Sequence, residues 1–344
     1  MQALESLEAL FYEDLGLLEA RIQELASRLH FPSYMLYMTR GGKRLRPLIA
    51  LAVCKSLGGS AMGAVDYAAA IELVHSAVLV HDDILDRHNM RRGKKPLYRL
   101  LDPRRSLLLS DMLLSSALKL TSSADGSKDT LSDTVYTLCR GVAMEPLNPL
   151  RFLRRSLNLG ILPTFYELIA RLKTGELFGA AAKMGAIAAG APAKTIAAAY
   201  QYGVEVGTAY QLADDLVDFI SWSKYGSIPD LGSLLTVTLF IPYASTSYEM
   251  SRYLLSRVLH SYVLFRLLTP IRLGKALVAL TPPRGIVQSL VRSALNKIRS
   301  YCSSAKRALA SFPDNKYSWL LLQLPNYVVN RQLAEVGLSL EETT

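Results

Sequence analysis

The stretch Glu72-Leu73-Val74-His75-Ser76-Ala77-Val78-Leu79-Val80-His81-Asp82-Asp83-Ile84-Leu85-Asp86 carries an apolar run straight into three carboxylates. Apolar residues recur at helical spacing from Val65 to Leu85, and residues i and i+4 share a helix face, so Asp82 and Asp86 project together. The pattern returns in Gly207 to Asp218, GTAYQLADDLVD, with Asp214, Asp215 and Asp218. Carboxylates gathered in apolar surroundings require a cation. Two such helices facing each other would make a jaw for hard divalent ions carrying a phosphorylated group. Mg²⁺ takes only one or two protein carboxylates and fills its octahedron with water and phosphate oxygens, which suits this pattern better than a closed protein cage does.

Outward from these stretches the same periodicity continues. It runs over Leu4 to Leu29, Leu48 to Leu57, Leu107 to Leu120, Leu131 to Met144, Phe165 to Ala189, Ala193 to Phe219, Ser247 to Leu267 and Ile286 to Ala310. Alternating β-branched patterns are scarce, and only Leu234 to Ile241 leaves strand and helix both open. The expected fold class is all-α, a bundle with its site between facing helices. With 344 residues, half of them apolar, the chain can bury a large core. No linker or repeat divides it, and the polar stretches Arg40 to Arg46, Arg87 to Arg105 and Thr121 to Thr130 read as inter-helix loops. A single domain over 1–344 is expected.

Glu5, Glu8, Glu13 and Asp14 stand where a signal peptide would need basic and then apolar residues, and no run reaches membrane-spanning length. Cys54, Cys139 and Cys302 are odd in number and far apart, which argues against a disulfide framework or a zinc site. A cytoplasmic location is the expectation. The net charge of +10 calls for anionic partners. Eight Lys/Arg lie between Arg87 and Arg105, yet no interleaved aromatics or nucleic-acid module accompany them. Anionic small substrates or peripheral contact with an acidic membrane face account for the charge, and nucleic acid is not expected.

Cations stand at motif-like positions. Gly41-Gly42-Lys43-Arg44-Leu45-Arg46-Pro47 is a glycine-opened loop with three cations and a proline suited to a helix's first turn. Arg91-Arg92-Gly93 follows the first acidic motif. Lys173-Thr174-Gly175 interrupts an apolar helix, where a lysine must be paired or reach the surface.

The ordered set GGKRLRP (41–47), ELVHSAVLVHDDILDRHNMRRG (72–93), YELIARLKTGELF (166–178) and GTAYQLADDLVD (207–218) resembles the trans-polyprenyl diphosphate synthase family, the head-to-tail prenyltransferases. Order and spacing match from about residue 40 to 218. The resemblance implies an isoprenoid-synthase helical bundle with a central active-site cavity, commonly a homodimer, that condenses isopentenyl diphosphate with an allylic prenyl diphosphate. It implies two or three Mg²⁺ per site. Asp82, Asp86 and Asp214 would bind Mg²⁺, with Asp218 and Asp83 in support and Asp215 in the same catalytic set. Arg91, Lys173, Thr174, Gln211 and Lys224 would contact the allylic diphosphate. Lys43, Arg46, His75 and Arg92 would hold isopentenyl diphosphate.

In this family bulky aromatics five or four positions before the first Asp close the product channel. Here Ala77 and Val78 stand there, with Leu73 as the next candidate floor, so products of about C20 or longer are expected. The chain departs from the pattern after Asp230-Leu231, where no Gly-Lys follows, and Val142 replaces a frequent Gln ahead of Glu145. An elongating enzyme is the main reading. A weakly active or non-catalytic partner subunit of a heteromeric synthase is the alternative, and a terpene cyclase is a third.

Overall fold

The computed structural model describes residues 12–91, 93–122, 125–145, 163–225, 231–267 and 282–341. Among them there is no strand, only helices and turns joined by loops. The helices are α1 (Tyr12–Ser27), α2 (Pro32–Thr39), α3 (Leu45–Ser56), α4 (Ala61–Leu85), α5 (Leu97–Leu100), α6 (Pro103–Lys119) and α7 (Ser127–Met144). They continue with α8 (Pro163–Ala170), α9 (Glu176–Ala188), α10 (Ala193–Tyr225), α11 (Leu231–Ala244), α12 (Tyr248–Leu267), α13 (Arg284–Ala308) and α14 (Lys316–Leu333). The segment Leu234 to Ile241 is therefore helical, inside α11. A short apolar run looks alike as buried strand or buried helix.

Helix starts follow local chemistry. Ser60 caps α4 by accepting from the Gly63 N–H at 3.1 Å. Asp102 caps α6 by accepting from the Arg105 N–H at 2.9 Å, with Pro103 in the first turn.

The chain forms two compact units, one of residues 1–139, 174–207 and 304–324, the other of 140–173, 208–303 and 325–344. The core of the first gathers Leu18 and Ile22 of α1, Leu51 and Cys54 of α3, and Ile71, Val74 and Ala77 of α4. Leu109 and Leu113 of α6 and Ala180 and Met184 of α9 complete it. The helices approach closely where small residues allow it. A Cβ on Gly185 of α9 would lie 2.2 Å from the Ala50 carbonyl oxygen of α3. In the second unit Tyr166 packs on Tyr243 and Phe240 at ring distances of 4.6 and 5.8 Å, and Phe219 packs on Phe240 and Trp222.

Contrary to the sequence expectation, one helix among the described residues is long and apolar enough to cross a membrane by composition, namely α4. Two thirds of its most apolar window, 67%, is buried inside the protein, so its apolarity is that of a core helix. All three cysteines are free thiols, and burial pushes the Cys54 thiol up to about 11.

Candidate active site

The first acidic motif closes α4. The Asp86 N–H donates to the Asp82 carbonyl at 2.8 Å, so the helical turn is complete and both side chains lie on one face, half-buried. Asp83 points elsewhere. It is 4% exposed and accepts from Arg91 Nε, with His88 Nδ1 at 3.2 Å. That hydrogen bond to Asp83 raises the His88 pKa above its ordinary value. A helix C-terminus disfavours negative charge, and this arrangement neutralises the one carboxylate of the three that is removed from water.

The glycine-opened loop sorts its three cations by position. Gly41 and Gly42 take φ of 84° and 98°, and Arg44 takes φ 48° just before α3. Arg44 is consumed internally, buried between Glu72 at 2.5 Å and Glu19 at 2.7 Å. Arg46, the second residue of α3, reaches His75 of α4, Nη1 to Nε2 at 3.2 Å, and its guanidinium lies 4.5 Å from the Phe178 ring centroid. Two of the residues expected at the isopentenyl diphosphate site are thus neighbours. Lys43 is exposed beside them in sequence. Arg92 lies outside the described residues.

Arg171–Gly175 form a π-helical turn between α8 and α9. Such turns come from a local extra residue and are frequent at functional sites. This one carries Lys173 and Thr174. Lys173 Nζ meets Glu145 Oε1 at 2.8 Å, which supplies the partner that its apolar helix demands. Gly141 of α7 permits the approach, because a Cβ there would sit 2.8 Å from Leu172 Cβ. Thr174 is buried.

The second motif repeats the sorting of the first. Asp214 and Asp218 are exposed on α10, whereas Asp215 is 4% exposed. Asp215 accepts from the Tyr166 hydroxyl and from Gln211 Nε2 at 2.8 Å. Burial pushes both the Asp215 carboxyl and the Tyr166 phenol well above their usual ranges. Gln332 Nε2 donates to Asp214 at 2.5 Å. Lys224 is exposed, its Nζ 3.4 Å from the Val336 carbonyl oxygen.

Gln211, expected at the diphosphate, thus gives one of its amide hydrogens to Asp215. Tyr166, Gln332 and His88 were given no role from sequence. Tyr166 stands at the head of a quoted motif, but Gln332 is 118 residues from Asp214, a separation no spacing rule bridges. Of the three channel-floor candidates, Ala77 and Leu73 are shut in the packed core at 0% and 2% exposure. Val78 is half-buried and shares the helix face of His75, Asp82 and Asp86.

Among the described residues, no three His, Cys, Asp or Glu side chains gather to hold a metal ion. An ion at either motif would rest on one or two carboxylates and complete its shell from water and diphosphate oxygens. That donor set fits Mg²⁺.

The described residues are helical, and they carry a DDxxD pattern with an inward second Asp in each copy and a cationic loop beside a histidine. The sequence model of the Polyprenyl synthetase family matches residues 30–227, more than half of the chain, and the chain belongs to that family. Octaprenyl diphosphate synthase of Escherichia coli (strain K12) is 31% identical over 221 residues, 63% of this chain and 66% of that relative. Heptaprenyl diphosphate synthase component 2 of Bacillus subtilis (strain 168) is 34% identical over 209 residues, 59% of this chain and 58% of that relative. The match spans less than two thirds of either relative's length. The crystal structure of polyprenyl synthase from Caulobacter crescentus CB15, complexed with calcium and isoprenyl diphosphate, is similar with a TM-score of 0.74 at 26% identity. That likeness covers 95% of this chain and 97% of the other, and the fold is the all-α isoprenoid-synthase fold.

Proposed function

We propose that this chain is a trans-prenyltransferase that joins isopentenyl diphosphate to an allylic diphosphate and releases a longer prenyl diphosphate together with inorganic pyrophosphate and a proton. The observation that carries the reading is the shared division of labour in the two acidic motifs. In each, the second Asp is buried and held by side-chain donors, and the first and fifth Asp stay on the more open face. Solvated acidic turns have no reason to repeat that arrangement.

Asp82 with Asp86, and Asp214 with Asp218, would each hold Mg²⁺ toward a diphosphate. When bound, the ion would neutralise charge that grows on the diphosphate as the allylic carbon–oxygen bond breaks. Arg91, Lys173, Thr174, Gln211 and Lys224 would orient the allylic diphosphate. Lys43, Arg46, His75 and Arg92 would hold isopentenyl diphosphate so that its double bond attacks the allylic carbon. Apolar walls would keep water from that carbon. Product length of about C20 or longer is part of this reading, with Val78 as the floor residue, because Ala77 and Leu73 are packed away from any opening. The homodimer belongs to it as well, supported by the exposed Leu107 and Leu108 of α6 and Tyr136 of α7.

A second reading is a partner subunit of a heteromeric synthase. Two observations favour it, the absence of Gly-Lys after Leu231 and a relative named as component 2 of such an enzyme. The purified chain, given Mg²⁺, labelled isopentenyl diphosphate and separately dimethylallyl, geranyl or farnesyl diphosphate, separates the two. A C20 or longer alcohol after dephosphorylation supports the self-sufficient enzyme. No incorporation by folded protein that still binds Mg²⁺-diphosphate makes the partner-subunit reading the better one.

A further inference from the structure

We infer, resting on the prenyl-transfer reading of Asp214 and Asp218, that Lys297 of α13 is a positioning residue for the second acidic motif, acting through Tyr243 and Tyr166 on Asp215. All of these residues belong to the second unit. Lys297 is half-buried, its Nζ lies 3.6 Å from the centroid of the Tyr243 ring, and it donates to the Tyr243 carbonyl. An ammonium over an aromatic ring is attracted by the negative face of that ring. Tyr243 is the next-to-last residue of α11, where helix carbonyls lack partners within the helix and the macrodipole favours a cation. One side chain thus holds both the backbone and the ring of Tyr243. Burial lowers the Lys297 pKa from its ordinary value, with Glu167 acting the other way. Among the described residues, no acidic side chain stands within ion-pair distance of Lys297. The ammonium is spent on Tyr243 and not on a carboxylate.

Tyr243 passes the constraint on. Its ring packs against Tyr166 of α8 with centroids 4.6 Å apart and planes at 35°, and both tyrosines are buried. The Tyr166 hydroxyl donates to Asp215 of α10. Asp215 is the inward carboxylate of the motif, so holding it fixes the rotation of the turn that carries Asp214 and, one turn on, Asp218. Close-packed side chains transmit a displacement, because there is no void to absorb it. Tyr301, four residues after Lys297 and on the same face of α13, donates its hydroxyl to Glu167, the chain neighbour of Tyr166. One face of α13 therefore holds α11 at Tyr243 and α8 at Glu167, on either side of the Tyr166 contact. A lysine that merely capped α11 would need the carbonyl alone. The ring contact, and its continuation to Asp215, tie Lys297 to the motif.

Three variants separate these roles. Lys297→Met keeps the stem and removes the charge and the donor, Lys297→Gln can still donate to the Tyr243 carbonyl but places no cation over the ring, and Lys297→Arg keeps both. Calorimetric titration of Mg²⁺ with inorganic pyrophosphate into the full chain is the readout, beside a melting curve for each variant. Lys297→Met and Lys297→Gln should each bind about tenfold more weakly than wild type, as expected for partners that orient metal ligands, and Lys297→Arg should restore binding. Where Lys297→Met does not fold, Lys297→Gln carries the test.

Tyr166→Phe, alone and combined with Lys297→Met, tests the route. If Lys297 acts through Tyr166, the double variant binds about as weakly as the weaker single one, because the second substitution removes a path already cut. Multiplying losses in the double variant overturn the inference. Wild-type affinity in Lys297→Met and Lys297→Gln, with or without a lower melting temperature, also overturns it and leaves a lysine that serves the fold alone. That result would leave the prenyl-transfer reading standing. Failure of the wild-type chain itself to bind Mg²⁺ with pyrophosphate would overturn both.

Discussion

Asp83 and Asp215 occupy the same place in two copies of one motif, and each has exchanged water for side-chain donors. For Asp215 the donors are Tyr166 and Gln211. Replacing Tyr166 by Phe keeps the ring packing against Tyr243 and removes only the hydroxyl. The expected cost is about 1–3 kcal/mol, because a buried acceptor loses a partner. Urea denaturation measures it, and an unchanged midpoint would mean that the hydrogen bond contributes nothing. Helical spacing made Asp82 with Asp86, and Asp214 with Asp218, legible as outward pairs before any coordinates. Which Asp turns inward was not legible, since Arg91 and His88 reach Asp83 only through the fold of the turn after α4, and one donor to Asp215 comes from another helix. Tyr166 lies 49 residues from Asp215. Burial of a carboxylate depends on what covers it, and local sequence carries no record of that.

At the scale of elements, glycines set how near the helices come. A Cβ on Gly203 of α10 would stand 2.3 Å from the Phe178 carbonyl oxygen of α9, backbone that cannot swing aside. Gly203→Ala should therefore destabilise by about 1–3 kcal/mol despite alanine's better helix propensity. A thermal melt unchanged by the substitution would contradict that packing. On α4, Val78→Phe should shorten the prenyl product, as read by sizing the dephosphorylated alcohols. Ala77→Phe should instead lower stability by about 1–3 kcal/mol through overpacking, because Ala77 has no surface left. A shorter product from Ala77→Phe with full stability would return the floor to Ala77. The long helices were readable because apolar periodicity survives over many turns. The π-helical turn at Arg171–Gly175 was not, because one extra residue shifts the helical phase without changing composition.

For the whole molecule, the proposed function predicts that stability depends on ligands, because excess positive charge and paired acidic motifs would each be neutralised on binding. Mg²⁺ with pyrophosphate at about a hundred times its dissociation constant should stabilise the folded chain by about 2.7 kcal/mol, seen as a raised melting temperature. Either component alone should do less. The all-α class was decided by sequence, since nearly every segment repeats one period. The two compact units were not, because each is assembled from three separated stretches of chain. The most direct test is steady-state turnover of labelled isopentenyl diphosphate by Asp82→Asn and Asp214→Asn beside wild type. A fall of about 10²–10³-fold in kcat for each, with native melting behaviour retained, is the result predicted for groups that stabilise developing diphosphate charge. Near-normal turnover in either variant would contradict the assignment of that motif to the metal and diphosphate.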